Sequence, residues 1–181
     1  MTRLIQRHLT CTQLSPLGLF LYGFLALWGC ATPATFEGMV PTSFQTEQNH
    51  PETVRVNVTG GQETVALGRP QITNSAFTQA LTESITKSRT FSRVIDDQSP
   101  KADYLLTVTL FSMDKLVFGQ TVSMEAGWTL RRGDDGTVVW QESIKSEHTD
   151  ADIRLATEGA ARNNIAQGLR DISKLIFRLT R

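Results

Sequence analysis

The sequence predicts an α+β fold, with two helices packed on one face of a four- to five-stranded, mostly antiparallel sheet. Three observations lead there. Val122, Met124, Ala126, Trp128 and Leu130 alternate with Thr121, Ser123, Glu125, Thr129 and Arg131, the period of a half-buried strand. Two segments, near 75–89 and 154–179, repeat apolar residues every three or four positions, the period of an amphipathic helix. The chain order, strand, helix, short strand, three longer strands, helix (β-α-β-β-β-β-α), suits helices gathered on one face while the other face stays wet.

The elements follow in order. Val54, Val56 and Val58 alternate with Arg55, Asn57 and Thr59, and Gly60-Gly61 ends this strand. Thr73 or Asn74 caps the first helix, whose buried stripe is Phe77, Leu81 and Ile85. Phe91–Asp96 is a short strand, reached by a right-handed crossover. Asp97–Lys101, containing Pro100, is a turn. Tyr104–Phe111 is apolar on both sides, with Leu106, Val108 and Leu110 on one and Leu105 and Phe111 on the other, so it is central. Asp134-Asp135-Gly136 fits a three-residue hairpin loop with positive φ at Gly136. The returning strand buries Val138, Trp140 and Ile144, and that loop length sets Leu130 opposite Trp140. Glu142 then falls opposite Trp128, a conflict that a sheet margin or a bulge resolves. In the last helix Ile165, Leu169, Ile172, Ile176 and Leu179 form one seam. Packing onto the sheet accounts for it better than a coiled coil of fewer than three heptads.

The N-terminus has a different character. Residues 1–13 carry Arg3, Arg7 and His8 without an acidic residue, and LSPLGLFLYGFLALW follows from Leu14 to Trp28. A charged start, an apolar run of about 15 and a small residue at the cut have the form of a secretory signal. A membrane-spanning helix needs roughly 20 apolar residues. Leu27-Trp28-Gly29-Cys30 resembles the lipobox of bacterial lipoproteins, with Trp28 where a small residue is usual. The resemblance implies cleavage before Cys30, a diacylglycerol on its thiol and an N-acyl chain, which together suffice for stable anchoring. Ala31 stands where an Asp would resemble an inner-membrane retention signal, which points to the outer membrane. A plain secretory signal, leaving a soluble periplasmic protein, is the alternative. The expected organisation is a signal peptide over 1–29, a lipidated cysteine and flexible tether over 30–52, rich in Thr, Pro, Gln and Glu, and a single domain over 53–181.

Composition narrows the function classes. The chain has 18 basic and 18 acidic side chains, and losing residues 1–29 leaves 16 against 18. That balance offers no footprint for nucleic acid and no polybasic patch for anionic lipid. Only Cys11 and Cys30 occur, so the mature chain has no internal disulfide. With His50 and His148 as its only histidines, a zinc site of Cys and His is not expected. No metal and no cofactor is expected. Gly60-Gly61 follows a strand as phosphate loops do, yet no Gly-x-Gly-x-x-Gly or Gly-Lys-Ser/Thr accompanies it, and a positive-φ turn is the simpler reading. Asp134 and Asp135 sit on a hairpin tip, unlike carboxyls set across a cleft. Asp150 and Asp152 precede the last helix, where carboxylates cap exposed N–H groups. Glu158 and Arg162 stand four apart, the spacing of a helical ion pair; alternatively they anchor the helix to the strand or loop beside it, and a structural role is favoured over ligand contact. No Gly-x-Ser-x-Gly elbow occurs, and His148 is the single plausible base without a nominated nucleophile. No catalytic residue is assigned.

Val58-Thr59-Gly60-Gly61, Phe77-x-x-Ala80-Leu81-x-x-Ser84, Phe118-Gly119 and Glu158-Gly159-Ala160-Ala161-Arg162-x-Asn164-Ile165-Ala166 together resemble a family of small uncharacterised bacterial envelope lipoproteins. The resemblance covers about residues 54–177, and its last motif is the most specific. It marks Gly60, Gly61, Gly119, Glu158, Arg162 and Asn164 as a structural or binding motif. Ala66-Leu67-Gly68 departs from the Leu-Trp pair expected there. More coarsely, anchor, tether and element order resemble auxiliary lipoproteins of envelope transport and lipopolysaccharide assembly machines. The anchor, the long tether and the lack of catalytic constellations support a non-enzymatic binding or assembly module, with the membrane and an envelope protein as partners, no nucleic acid, and an open oligomeric state. Two alternatives stay open. One is a small-ligand or lipid carrier with a groove lined by Phe77, Trp128, Trp140 and Ile172. The other is a hydrolase whose pocket gathers Glu125, Glu142 or His148.

Overall fold

A computed structural model of the chain describes residues 32–44, 46–64, 70–95, 101–115 and 120–177. The signal peptide and Cys30, Ala66-Leu67-Gly68, the turn residues 97–100, Phe118-Gly119 and Leu179 lie outside the described residues. The elements are α1 (Phe36–Met39), β1 (His50–Thr59), α2 (Asn74–Ser88), β2 (Phe91–Val94), β3 (Tyr104–Lys115), β4 (Thr121–Arg132), β5 (Val138–Thr149) and α3 (Ile153–Ser173). They form one five-stranded sheet in the order β2-β1-β3-β4-β5. β1 runs parallel to both neighbours, while the long β3–β4 and β4–β5 pairings are antiparallel. The α+β architecture is therefore as expected, with β3 at the centre. α2 lies against β1 and β2, and α3 lies against β4 and β5.

Alternation on the strands and the stripes on the helices meet in one core. Leu106, Val108, Ala126, Trp128 and Leu130 are fully buried beneath Phe77, Leu81 and Ile85 of α2 and Ile165, Leu169 and Ile172 of α3. Each large side chain removed from water contributes about 1.5–3 kcal/mol. Thr73 caps α2, accepting from the Ala76 N–H, and Asp152 caps α3, accepting from Arg154 N–H and Leu155 N–H. The hairpin loop places Gly136 at φ 75°, and Leu130 faces Trp140 in the expected register.

The joint between α3 and the sheet is polar inside an apolar core. The Trp128 Nε1–H donates to Asn164 Oδ1 at 2.9 Å, and the Asn164 Nδ2–H donates to the Ile144 carbonyl at 2.8 Å. One amide thus ties the helix to β4 and β5 together. Beneath the indole lies Gly168, where a Cβ would sit 2.8 Å from three ring atoms. The helix reaches this close to the ring because no side chain intervenes.

Four expectations are corrected and one conflict is resolved. Residues read as a flexible tether are part of the domain: Ala34, Met39 and Val40 are buried against α2 and α3, and β1 begins at His50 rather than near Thr53. The short apolar cluster fills the space between the helices, and burial outweighs its polar composition. Phe111 is 60% exposed, because no second layer covers that face and a bulge between Leu110 and Ser112 shifts the strand. Val138 is exposed near the hairpin, where the register shifts between Leu130 and Arg131. Glu142 stands opposite Trp128 as expected, and its conflict is resolved at the sheet margin, where β5 is an outermost strand and the side chain is exposed. Finally, α3 ends at Ser173, so Ile176 leaves the seam and is 79% exposed, while Phe177 turns inward to stack on Tyr104 at 4.5 Å.

Substituting Gly168→Ala should force the Trp128 ring or α3 to shift. The expected loss is about 1–3 kcal/mol of stability, read as a lower urea midpoint with an unchanged slope.

Candidate functional site

The sharpest motif of the sequence builds a clasp. Glu158 is 1% exposed, and its Oε1 accepts from the Thr35 N–H at 2.9 Å and the Thr35 hydroxyl at 3.1 Å. The same oxygen pairs with Arg154 Nη1 at 2.8 Å. Arg162 Nε donates to the Gly38 carbonyl at 2.9 Å. Of the two expected roles, ion pair and anchor, the residues take the second, tying α3 to the segment before β1. Glu158 turns one helical turn back to Arg154, and Arg162 reaches across to α1, because Thr35 and Gly38 present unpaired backbone groups to both. Thr35 in turn caps α1, accepting from the Gly38 N–H. A side chain at Gly38 would collide with the Glu158 carboxylate. Further along, the Glu47 N–H donates to Ser173 Oγ, and Thr46 Oγ1 donates to the Ser88 carbonyl.

Gly60 and Gly61 close β1. Gly60 has φ 82°, and a Cβ there would strike the Leu110 carbonyl at the β3 bulge. The Gly61 N–H donates to Asn74 Oδ1 at 2.7 Å, so this turn is stitched to the start of α2 rather than open to a phosphate. Of the six motif residues, Glu158 and Arg162 act together, Asn164 acts inside the core, the glycine pair acts at the other end of β1, and Gly119 lies outside the described residues. Asp150 and Asp152 form the capping turn into α3, with the Asp152 N–H bonded to Asp150 Oδ1.

Another group of carboxylates gathers where β1, β3 and the hairpin meet. Asp103 Oδ2 accepts from the Thr53 N–H at 2.8 Å and from its hydroxyl at 2.7 Å, which holds the carboxyl below its usual range. The Gly133 N–H donates to the Asp103 carbonyl at 2.7 Å. The Arg132 guanidinium beside Asp134 holds that carboxyl well below the ordinary value. Burial raises the neighbouring Tyr104 phenol, with the negative charge of Glu52 adding to it. These contacts lock strand ends together and leave no cleft between the acids.

Residues named for catalysis are not brought together. Glu125 is on the outer face, accepting from Ser143 Oγ at 2.7 Å, whereas Glu142 and His148 occupy the other face of β5. Phe77, Trp128 and Ile172 are fully buried in packed core, so they line no groove for a carried ligand, and Trp140 is half-buried. Among the described residues no group of three or more His, Cys, Asp or Glu is placed to hold a metal ion. No described helix is long and apolar enough to cross a membrane.

A groove of about 640 Å³ lies beside β2. Its floor is Phe91 and Val94 of β2, its wall is Thr82, Ile85, Thr86 and Arg89 of α2, and His50 closes one end. The His50 ring meets Phe177 at 4.2 Å and its Nε2 is 3.1 Å from the Ile172 carbonyl, so this end is rigidly packed. Arg93 stands on the strand, and Arg89 caps α2 with φ 57°. Neither arginine was singled out by sequence reasoning. The signal was present: positions 82, 85, 86 and 89 share one helix face, and one arginine precedes a four-residue strand that carries another.

No family model and no curated protein matches the sequence, and the likeness to known proteins reaches only as far as the fold. That fold is shared with solved structures. A DUF330 protein from Xanthomonas campestris aligns with a TM-score of 0.52 at 12% identity, covering 71% of this chain and 90% of that one. The PelC dodecamer from Paraburkholderia phytofirmans aligns at 0.52 and 13% identity, covering 75% and 96%. The hypothetical protein CT253 from Chlamydia trachomatis aligns at 0.51 and 11% identity, covering 67% and 98%.

Two outcomes follow from the clasp and the strand-end cluster. Glu158→Ala should cost about 2–3 kcal/mol by leaving the Thr35 N–H and Arg154 without their acceptor, and limited proteolysis should then cut near Phe36. The Asp103 carboxyl is lowered in the folded state, so its contribution is present above the ordinary carboxylate value and fades as pH falls through it. Asp103→Asn should therefore be less stable than wild type near neutral pH, with the gap narrowing below about pH 4 in a urea titration series.

Proposed function

We propose that this chain is an exported envelope protein, lipid-anchored through Cys30 on the periplasmic side of a membrane. The outer membrane is favoured by Ala31. There it acts as a non-enzymatic docking module for an envelope protein. The observation carrying this reading is the clasp. The charges of the sharpest motif, buried Glu158 and half-buried Arg162, face the chain shortly after Cys30 and hold it to the domain. Chemistry on a substrate has no claim on them.

The clasp also revises the attachment. Only three residues separate Cys30 from Ala34, whose N–H is bonded to the Gln71 carbonyl. Extended chain of that length reaches about 14 Å. A lipidated Cys30 would keep the domain at the bilayer surface, beside membrane-bound partners rather than at the end of a long leash. The assembled state of PelC agrees with a fold used for protein contacts.

The test is in-cell crosslinking and affinity purification through a C-terminal tag, with Cys30→Ser as control. Wild type should fractionate with membranes and recover a specific envelope protein. The variant should appear in the soluble periplasmic fraction and recover much less of it. Wild type that stays on the membrane and recovers nothing above background would remove the docking role.

A further inference from the structure

We propose that the free edge of β2 and the facing side of α2 form a strand-addition site for an extended acidic peptide segment of a protein partner. This deepens the docking reading and rests on it. Among the described residues β2 is outermost in the sheet and pairs only with β1, so along its other side alternate N–H and C=O groups have no described strand partner. Its four residues span about 13 Å, the length of a four-residue strand. The groove beside it supplies volume for the added side chains, with α2 as the opposite wall, the arrangement in which peptides are captured by main-chain pairing.

Charge identifies the occupant. Arg89 and Arg93 line the groove, and neither makes a hydrogen bond or ion pair among the described residues. The nearest acid on the helix, Glu83, is engaged by Lys87 at 2.7 Å. Two guanidiniums flanking an open strand suit carboxylates at alternate positions of an incoming strand, since residues two apart fall on one face. Arg89 adds an independent sign. It holds left-handed backbone at the end of α2, φ 57° and ψ 29°, where glycine is the unstrained residue. The local strain keeps a guanidinium at the mouth of the groove. A short edge bearing an arginine also deters aggregation, but that purpose needs neither the groove nor a strained second arginine.

The experiment uses the full-length chain in non-ionic detergent and a fluorescein-labelled Glu-Val-Glu-Val-Glu peptide, read by anisotropy and by amide hydrogen exchange. Saturable binding is expected, with slowed exchange at residues 91–94. A Lys-for-Glu peptide should bind at least about tenfold more weakly, and a peptide N-methylated at alternate backbone nitrogens should not bind. Arg89→Gly relieves the backbone and so should keep or raise stability while weakening binding about tenfold, a result that misfolding cannot imitate. Arg93→Gln should act in the same direction. Equal binding of the N-methylated peptide, or an unchanged affinity in Arg89→Gly, overturns the proposal. So does protection of β2 by dihexanoyl phosphatidylglycerol in place of the peptide, which marks a lipid headgroup. Protection that rises with protein concentration and vanishes in Arg93→Gln marks a second copy. If the envelope crosslink persists in the double variant, the groove is the wrong site and the docking role stands.

Discussion

The structure depends on one amide. Asn164 sits in the core with both ends of its side chain bonded, accepting from the Trp128 indole and donating to the Ile144 carbonyl. A buried polar group satisfied in this way fixes geometry that apolar contacts alone leave adjustable. It sets the roll of α3 about its own axis. With Asn164 turned to the sheet, Gly168 comes under the indole one turn later. Glu158 and Arg162, four apart on another face, are aimed at α1. The clasp is a downstream effect of that roll: any other rotation would bury Glu158 without an acceptor role and turn Arg162 from the Gly38 carbonyl.

What was legible in the sequence was what repeats locally. The β4–β5 hairpin announced itself because alternation and the Asp-Asp-Gly loop fix register within twenty residues. The stripe of α2 and most of α3 were equally plain. Periodicity counts apolar residues, however, so it could not assign Asn164 or Glu158, polar residues buried on a helix. It also ran past the end of α3, since nothing in the spacing marks Ser173 as the last residue or shows Phe177 to be needed by His50 and Tyr104. The segment before β1 was illegible for a different reason. Its apolar residues, Ala34, Met39 and Val40, follow no period, and its clasp partners, Glu158 and Arg162, lie more than 120 residues away.

The mixed sheet has two unlike margins. β5 is long and carries Glu142, Lys145 and Glu147, charges that discourage another strand from pairing. β2 is short and lies beside a groove. Between them the uncovered face is dressed with threonines, some in hydroxyl pairs such as Thr59 with Thr109 and Thr121 with Thr149. Such pairs satisfy themselves while remaining hydrated, which lets this face stay wet without exposing a large apolar area, Phe111 excepted.

The clasp sets an order of events in time. Thr35 and Glu158 are separated by 123 positions, and β1 pairs with β3 across about fifty. Contacts that distant close late, after the intervening chain has lost its freedom. The stretch holding Thr35 is the first of the described chain to be made and finds its partner last. Its contacts wait until α3 has formed and packed in register, so it is the final stretch to become protected.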